Sequence, residues 1–113
     1  MALKLHKDLL AGRYRAAADA LLDGRSPRSL KESEVASLVG ALSFLGRMDE
    51  AEALYGRLEK ASPLSRAAGR FFLGMGWTRL SEYERARSLF ARNDVESGRG
   101  PLERFYVHQG NAM

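Results

Sequence analysis

The sequence predicts an all-α fold in which short antiparallel helix pairs stack on one another. Apolar residues recur at helical spacing along the whole chain, and no segment shows the strict alternation of a strand. In addition, three segments resemble each other and end in alanines at positions 17, 51 and 86, a spacing of 34 and 35 residues. Because one helix pair is too small to bury its own apolar face, neighbouring pairs must stack to form a core.

The turn inside each pair is predicted from a residue near the start of each similar segment. Gly12 and Gly46 lie where the first helix of a pair must end, and glycine accepts the left-handed conformation that closes a helix. Ser81 takes this place in the third segment. The alanine that follows each turn is small, which predicts that two helices cross closely there. A bulky residue follows each alanine by one helical turn and is expected to fill the space between pairs, at Leu21, Tyr55 and Phe90.

Seven helices are predicted in order, at residues 2–11, 13–23, 30–45, 49–60, 64–80, 82–92 and 101–112. Ser29 and Glu32 have the spacing of a capping box at the start of the third helix. Ser62 is expected to cap the fifth helix, with Pro63 in its first turn. The two looser connectors, 24–28 and 94–100, are too short to divide the chain, so residues 1–113 are predicted to form a single domain.

Composition argues against catalysis, metal binding and a membrane span. The chain has no cysteine, and its two histidines, His6 and His108, are far apart and without the spacing of a metal-binding pair. No phosphate loop, nucleophile motif or dinucleotide fingerprint occurs. Gly74-Met75-Gly76 is only a fragment of a dinucleotide fingerprint and lies in a predicted helix. Its glycines are instead expected to let a neighbouring helix pack closely. No enzyme activity, metal or cofactor is therefore predicted. The lack of a long apolar run argues against a membrane span, and the absence of cysteine fits the reducing cytosol, so a cytoplasmic protein is expected.

In these features the chain resembles the tetratricopeptide repeat family. Residues 32–63 carry the resemblance best, through Leu38, Leu42, Gly46, Ala51, Tyr55 and Pro63. Residues 67–100 follow with Leu73, Gly74, Trp77, Tyr83, Ala86 and Phe90, and residues 12–23 match only in the second helix. The resemblance implies about three repeats plus the first helix of a fourth, wound into a right-handed solenoid. It also implies that Trp77, Tyr83 and Phe90 belong to the core.

The resemblance further implies a concave groove, lined by the first helix of each repeat, that holds a protein or peptide. Its residues would be Phe44, Phe71, Met75, Thr78, Arg79, Phe105 and Gln109, together with Ala36, Gly40 and Ser43. Phe71, Met75 and Phe105 would supply apolar contacts, and Arg79 a positive charge. Aromatic, methionine and arginine side chains contribute most to interface energy.

The predicted function is therefore protein binding, within a bacterial regulator or scaffold whose further domains follow residue 113. One alternative is a small secretion chaperone of the same family. An alternative of another class is nucleic-acid binding, since 18 Lys and Arg against 14 Asp and Glu give a net charge of +4. The affinity of such a protein for nucleic acid would fall steeply with salt.

The last predicted helix, 101–112, has no partner helix after it in the sequence. Phe105 and Tyr106 are adjacent, so both cannot face the preceding repeat. Exposed apolar surface of this kind usually marks an interface. We therefore predict that the helix is covered either by further sequence of the parent protein or by a second copy in a homodimer.

Overall fold

The structure is a computed structural model that describes residues 3–97. This part of the chain contains six α-helices and no strand. They are α1 (Lys7–Leu10), α2 (Tyr14–Leu22), α3 (Glu32–Phe44), α4 (Met48–Tyr55), α5 (Pro63–Arg79) and α6 (Tyr83–Ser97). Short 3₁₀ helices follow α2 at Pro27–Ser29 and α4 at Gly56–Leu58. The prediction of an all-α fold is confirmed.

Helix α3 lies at the centre of the molecule. Every residue from Val35 to Ser43 is buried, because α1, α2, α4 and α5 all pack against this helix. Small and apolar side chains around its whole circumference allow this, as expected for a helix without a solvent face. Helix α6 packs on α5 and extends the core outward.

The three turns that follow α1, α3 and α5 have the same hydrogen bonds. Gly12, Gly46 and Ser81 occupy them with φ angles of +83°, +81° and +64°. The next N–H donates to the carbonyl five residues earlier, from Arg13 to Asp8 (2.8 Å), Arg47 to Leu42 (2.9 Å) and Glu82 to Trp77 (2.8 Å). This is the Schellman arrangement, in which a left-handed residue closes the helix. The glycine prediction is confirmed, and Ser81 adopts the same conformation despite its side chain.

Small residues lie where helices approach each other, as predicted. Ala17 and Ala51 are completely buried, and Ala86 is 3% exposed. A Cβ added to Gly74 would lie 2.5 Å from Phe90 Cε1, and one added to Gly76 would lie 2.6 Å from Met48 Sδ. These two glycines therefore let α5 approach α6 and α4 closely, which confirms their expected role.

The first helix is shorter than predicted and begins only at Lys7. The backbone N–H of His6 donates to Ser37 Oγ at 2.9 Å, which ties residues 3–6 to α3 instead of starting a helix. The His6 ring then caps the helix, since its Nδ1 accepts from the N–H of Asp8 at 3.1 Å. The prediction of helix over residues 3–6 is wrong because a distant hydroxyl competes for the backbone.

The predicted capping box at the start of α3 is also wrong. The N-cap is Lys31, whose N–H donates to the Glu34 carboxylate at 2.9 Å. Ser29 instead lies in the 3₁₀ helix, where its hydroxyl donates to the Ser26 carbonyl. This 3₁₀ helix covers Pro27–Ser29, and α3 begins at Glu32, two residues later than predicted.

The start of α5 agrees with the prediction. Ser62 is its N-cap and Pro63 its first residue. Glu32 of α3 accepts hydrogen bonds from the hydroxyls of Ser62 (2.7 Å) and Ser65 (2.6 Å), which joins the starts of the two helices. These bonds hold the pKa of the Glu32 carboxyl below its ordinary value.

Helix α6 continues to Ser97, five residues beyond its predicted end, whereas α4 gives way to a 3₁₀ turn after Tyr55. Glu96 near the end of α6 pairs with Arg66 (2.6 Å) and Arg70 of α5, and these contacts stabilise the additional turn. Tyr83, expected in the core, is instead 58% exposed at the first position of α6, so this prediction is wrong. Trp77 is buried and Phe90 half-buried, in agreement with the prediction.

Candidate functional site

Four residues of the predicted groove reach the surface. Phe44 and Arg79 are the last residues of α3 and α5, each directly before the closing turn. Met75 lies one turn before Arg79 on the same face of α5, and Thr78 directly precedes Arg79. Arg79 is exposed, and the other three are half-buried. The repeated turns bring these helix ends to one side of the molecule.

Arg79 joins the ends of α3 and α5. Its Nη1 donates to the Phe44 carbonyl at 2.8 Å, and its guanidinium carbon lies 5.9 Å from the centre of the Phe44 ring. The carbonyls at a helix C-terminus lack partners within the helix and carry partial negative charge, so a cation is favourable there. This contact positions the guanidinium while its other N–H groups remain at the surface.

Tyr14 completes the site and was not predicted. Its ring stacks on Phe44 with centroids 4.6 Å apart and an angle of 23° between planes. Phe72 meets Phe44 from below, edge to face, at 6.0 Å. The sequence contains a signal for Tyr14, because it precedes Ala17 by three residues as Tyr83 precedes Ala86. We call Tyr14, Phe44, Met75, Thr78 and Arg79 together the Phe44 surface.

Thr78 and Met75 are less available than their position suggests. The Thr78 hydroxyl donates to the Gly74 carbonyl one turn earlier, at 2.8 Å, so its hydrogen is already used. Met75 packs partly against the core. A partner would therefore contact the Thr78 oxygen as an acceptor and the outer part of the Met75 side chain.

Other residues assigned to the groove lie in the core. Phe71 is 4% exposed, and its ring contacts Phe72 and Phe90 at centroid distances of 5.9 and 6.2 Å. On α3, Ala36, Gly40 and Ser43 are buried as well. The side chains of Leu9 and Phe72 come within about 3 Å of where a Gly40 Cβ would be, because α1 and α5 close over α3. Phe71 therefore supports the fold and does not line an open surface.

Phe105 and Gln109 lie outside the described residues. The same is true of the predicted helix 101–112 and of the homodimer interface expected on it.

Metal and membrane features were also sought in residues 3–97. No group of three or more metal-ligating side chains is close enough there to hold an ion. No helix in this part of the chain is long and apolar enough to cross a bilayer. No protein-family model, curated protein or solved structure matches the chain.

Proposed function

We propose that this chain is a protein-binding module of the tetratricopeptide type, with antiparallel helix pairs stacked in a right-handed solenoid. The recurrence of one turn supports it: Gly12, Gly46 and Ser81 share the same φ region and the same hydrogen bonds at a spacing of 34 and 35 residues. A period near 34 residues is typical of this family. The burial of one alanine after each turn gives further support.

The Phe44 surface is the proposed binding site for a protein or peptide. Its residue types are those enriched where proteins meet, and the arginine is held in place before a partner arrives. The observation that carries the proposal is the Arg79 guanidinium fixed on the Phe44 carbonyl and ring. Its remaining N–H groups would donate to a carboxylate or carbonyl of the partner, while Tyr14 and Met75 contact apolar atoms. The role requires neither catalysis nor a cofactor.

Because α3 is buried along most of its length, the proposed site is shorter than a groove along the whole concave face would be. With Phe71, Gly40 and Ser43 enclosed, the partner would contact the ends of α3 and α5 near the turns. We therefore propose recognition of a short segment, with few residues contributing most of the binding energy.

A photo-crosslinking test can locate the partner on this surface. A benzophenone side chain would replace Met75, or Ala53 on the exposed side of α4 as the control, and the protein would be irradiated in extract of its source cells. We expect a discrete protein adduct from position 75 only. Arg79→Glu should reduce its yield about tenfold, whereas Arg15→Glu, the same charge change on exposed α2, should not.

Two results would contradict the proposal. One is an adduct of equal yield from positions 75 and 53. The other is an adduct whose crosslinked partner is digested by nuclease and not by protease. Such a partner would be nucleic acid, which would favour the nucleic-acid alternative. Phe71→Ala is unsuitable as a test, because truncating a buried phenylalanine costs roughly 3–5 kcal/mol of stability. Circular dichroism of each variant would confirm that the helices remain formed.

A further inference from the structure

A groove lies between α4 and α6 and shares no residue with the Phe44 surface. Both helices pack on α5 and leave a space of about 430 Å³ between them. Its base is formed by apolar parts of Tyr55, Leu73, Trp77 and Leu89. Its two sides carry Glu52 and Glu59 on one hand, and Arg85, Ser88 and Arg92 on the other. We call this the α4/α6 groove.

The two sides of the α4/α6 groove have opposite charge. Glu59 and Arg92 meet across one end as an ion pair of 3.7 Å. Glu52 and Arg85 line the same groove, but within the described part of the chain neither forms an ion pair. Among residues 3–97, the groove therefore has one carboxylate, Glu52, and one guanidinium, Arg85, without an ion-pair partner.

Arg85 is positioned by the base of the groove. Its guanidinium carbon lies 4.5 Å from the centre of the Trp77 ring, a cation–π contact. Such a contact uses the flat face of the guanidinium and leaves the N–H groups at its edge available to a carboxylate. Trp77 is 7% exposed, lines this groove and is the only tryptophan of the chain, so a ligand that covers it should change the tryptophan emission.

The residues on the α6 side fit a narrow segment of chain. Arg85, Leu89 and Arg92 are separated by four and three residues, so they share one face of the helix over two turns, roughly 10 Å. An extended peptide covers that length with about three or four residues. The sides of the groove carry charges of both signs, and its base is apolar. An occupant that fits it therefore needs an acidic, a basic and an apolar side chain.

We propose that the α4/α6 groove binds a peptide segment of another protein with an acidic, an apolar and a basic side chain in close succession. The acidic side chain pairs with Arg85, the apolar one covers Trp77 and Leu89, and the basic one pairs with Glu52. Charge complementarity identifies this occupant, because a segment of one sign would place like charges against one side. The site is distinct from the Phe44 surface and does not depend on it.

The test uses a displayed library of random peptides of roughly 12 residues, selected against the full chain. Enriched peptides are expected to share the acidic–apolar–basic pattern and to shift the Trp77 emission on titration. Arg85→Glu and Glu52→Arg should each weaken their binding at least about tenfold, a loss typical of a broken charge pair. Arg87→Glu, on the same helix but outside the groove, should leave the affinity unchanged.

A charge swap makes the test sharper. The double variant Glu52→Arg/Arg85→Glu should select peptides with the reversed order of charges, a result that loss of folding cannot imitate. Glu52→Gln, which removes a charge without adding one, should weaken binding less than Glu52→Arg.

Four outcomes would overturn the proposal. The first is a selection that enriches no peptide, and the second is peptides that bind without changing Trp77 emission. The third is peptides whose affinity falls with Arg79→Glu but not with Arg85→Glu. The fourth is concentration-dependent self-association, seen by sedimentation and abolished by Arg85→Glu, which would assign the groove to a second copy of the chain. The third outcome would place the peptides on the Phe44 surface, so failure here is distinguishable from failure of the proposed function.

Discussion

At the scale of single residues, Ser81 is the position where side chain and backbone conflict. Its φ of +64° lies in the left-handed region, which glycine occupies at the two equivalent turns. A residue with a Cβ pays roughly 1–2 kcal/mol for this conformation. The hydrogen bonds of the closing turn and the packing of α5 against α6 must exceed that cost for the turn to form.

Ser81→Gly should therefore raise the free energy of unfolding by about 0.5–1 kcal/mol. Relief of the left-handed strain outweighs the greater freedom that glycine gives the unfolded chain, which amounts to about 0.4–1 kcal/mol. Urea denaturation would measure the change. The reciprocal variant Gly46→Ser should lose a similar amount, since no atom lies within 4 Å of a Cβ there and the effect is conformational. Changes of the same sign in both variants would contradict this account.

At the scale of elements, an ion network attaches the end of α6 to α5. Glu96 accepts from Arg66 Nε at 2.8 Å and pairs with Arg70, which is only 5% exposed and also donates to the Tyr55 hydroxyl at 2.8 Å. Burial raises the pKa of the Glu96 carboxyl, but the hydrogen bonds from Arg70 and Arg66 together hold it below its ordinary value. The buried arginine thus depends on the charge of Glu96, four residues beyond the predicted end of the helix.

Glu96→Gln should reduce the free energy of unfolding by about 2 kcal/mol near neutral pH, because it leaves a buried guanidinium without its carboxylate. Since the folded-state pKa of Glu96 is depressed, its contribution is present above the unfolded-state pKa and is lost as pH falls through the folded value. The difference between the two proteins should therefore shrink in acid. Urea unfolding at neutral and acidic pH would test this.

The matched control for the ion network is Glu84→Gln on the same helix. Glu84 pairs with Arg87 at 3.2 Å, but both side chains are mostly exposed, so the loss should stay below about 0.5 kcal/mol. Equal losses from the two variants, or a Glu96→Gln deficit that is independent of pH, would mean that the network adds nothing specific.

At the scale of the whole molecule, α3 connects the other helices into one cooperative unit. Its residues from Val35 to Ser43 are buried by the surrounding helices, and α6 packs mainly on α5. Loss of packing in α3 should therefore be felt in every helix that touches it.

Leu38→Ala should lower stability by roughly 2–5 kcal/mol, because Leu38 is 1% exposed and the substitution leaves a cavity. Hydrogen exchange followed by mass spectrometry should show protection falling together in α2, α4 and α5. Leu80→Ala, at a side chain that is 50% exposed, should change little. Full protection of α5 and α6 beside loss in α2 and α3 would show independent units.

The sequence alone was enough to predict the presence of the six described helices, the turns at Gly12 and Gly46, the cap at Ser62 and the small residues at helix crossings. These features depend on hydrophobic period and on which residues accept a given φ, and both are legible within a few residues of the chain. The start of α1 and the end of α6 were not predictable in this way. They depend on partners 31, 30 and 26 residues away, at Ser37, Arg66 and Arg70.

The candidate site was decided by tertiary structure more than by sequence. The resemblance to the repeat family implies that Phe71, Met75 and Arg79 all line the groove, yet only the last two reach the surface. Phe71 is buried because α6 brings Phe90 against it. Phe90 can come this close to α5 because Gly74, three residues after Phe71, has no side chain in its way. Tyr14 joins the site through a stack on a ring 30 positions away. Periodicity assigns a residue to a helix face, but whether that face meets solvent depends on how closely the neighbouring helices pack.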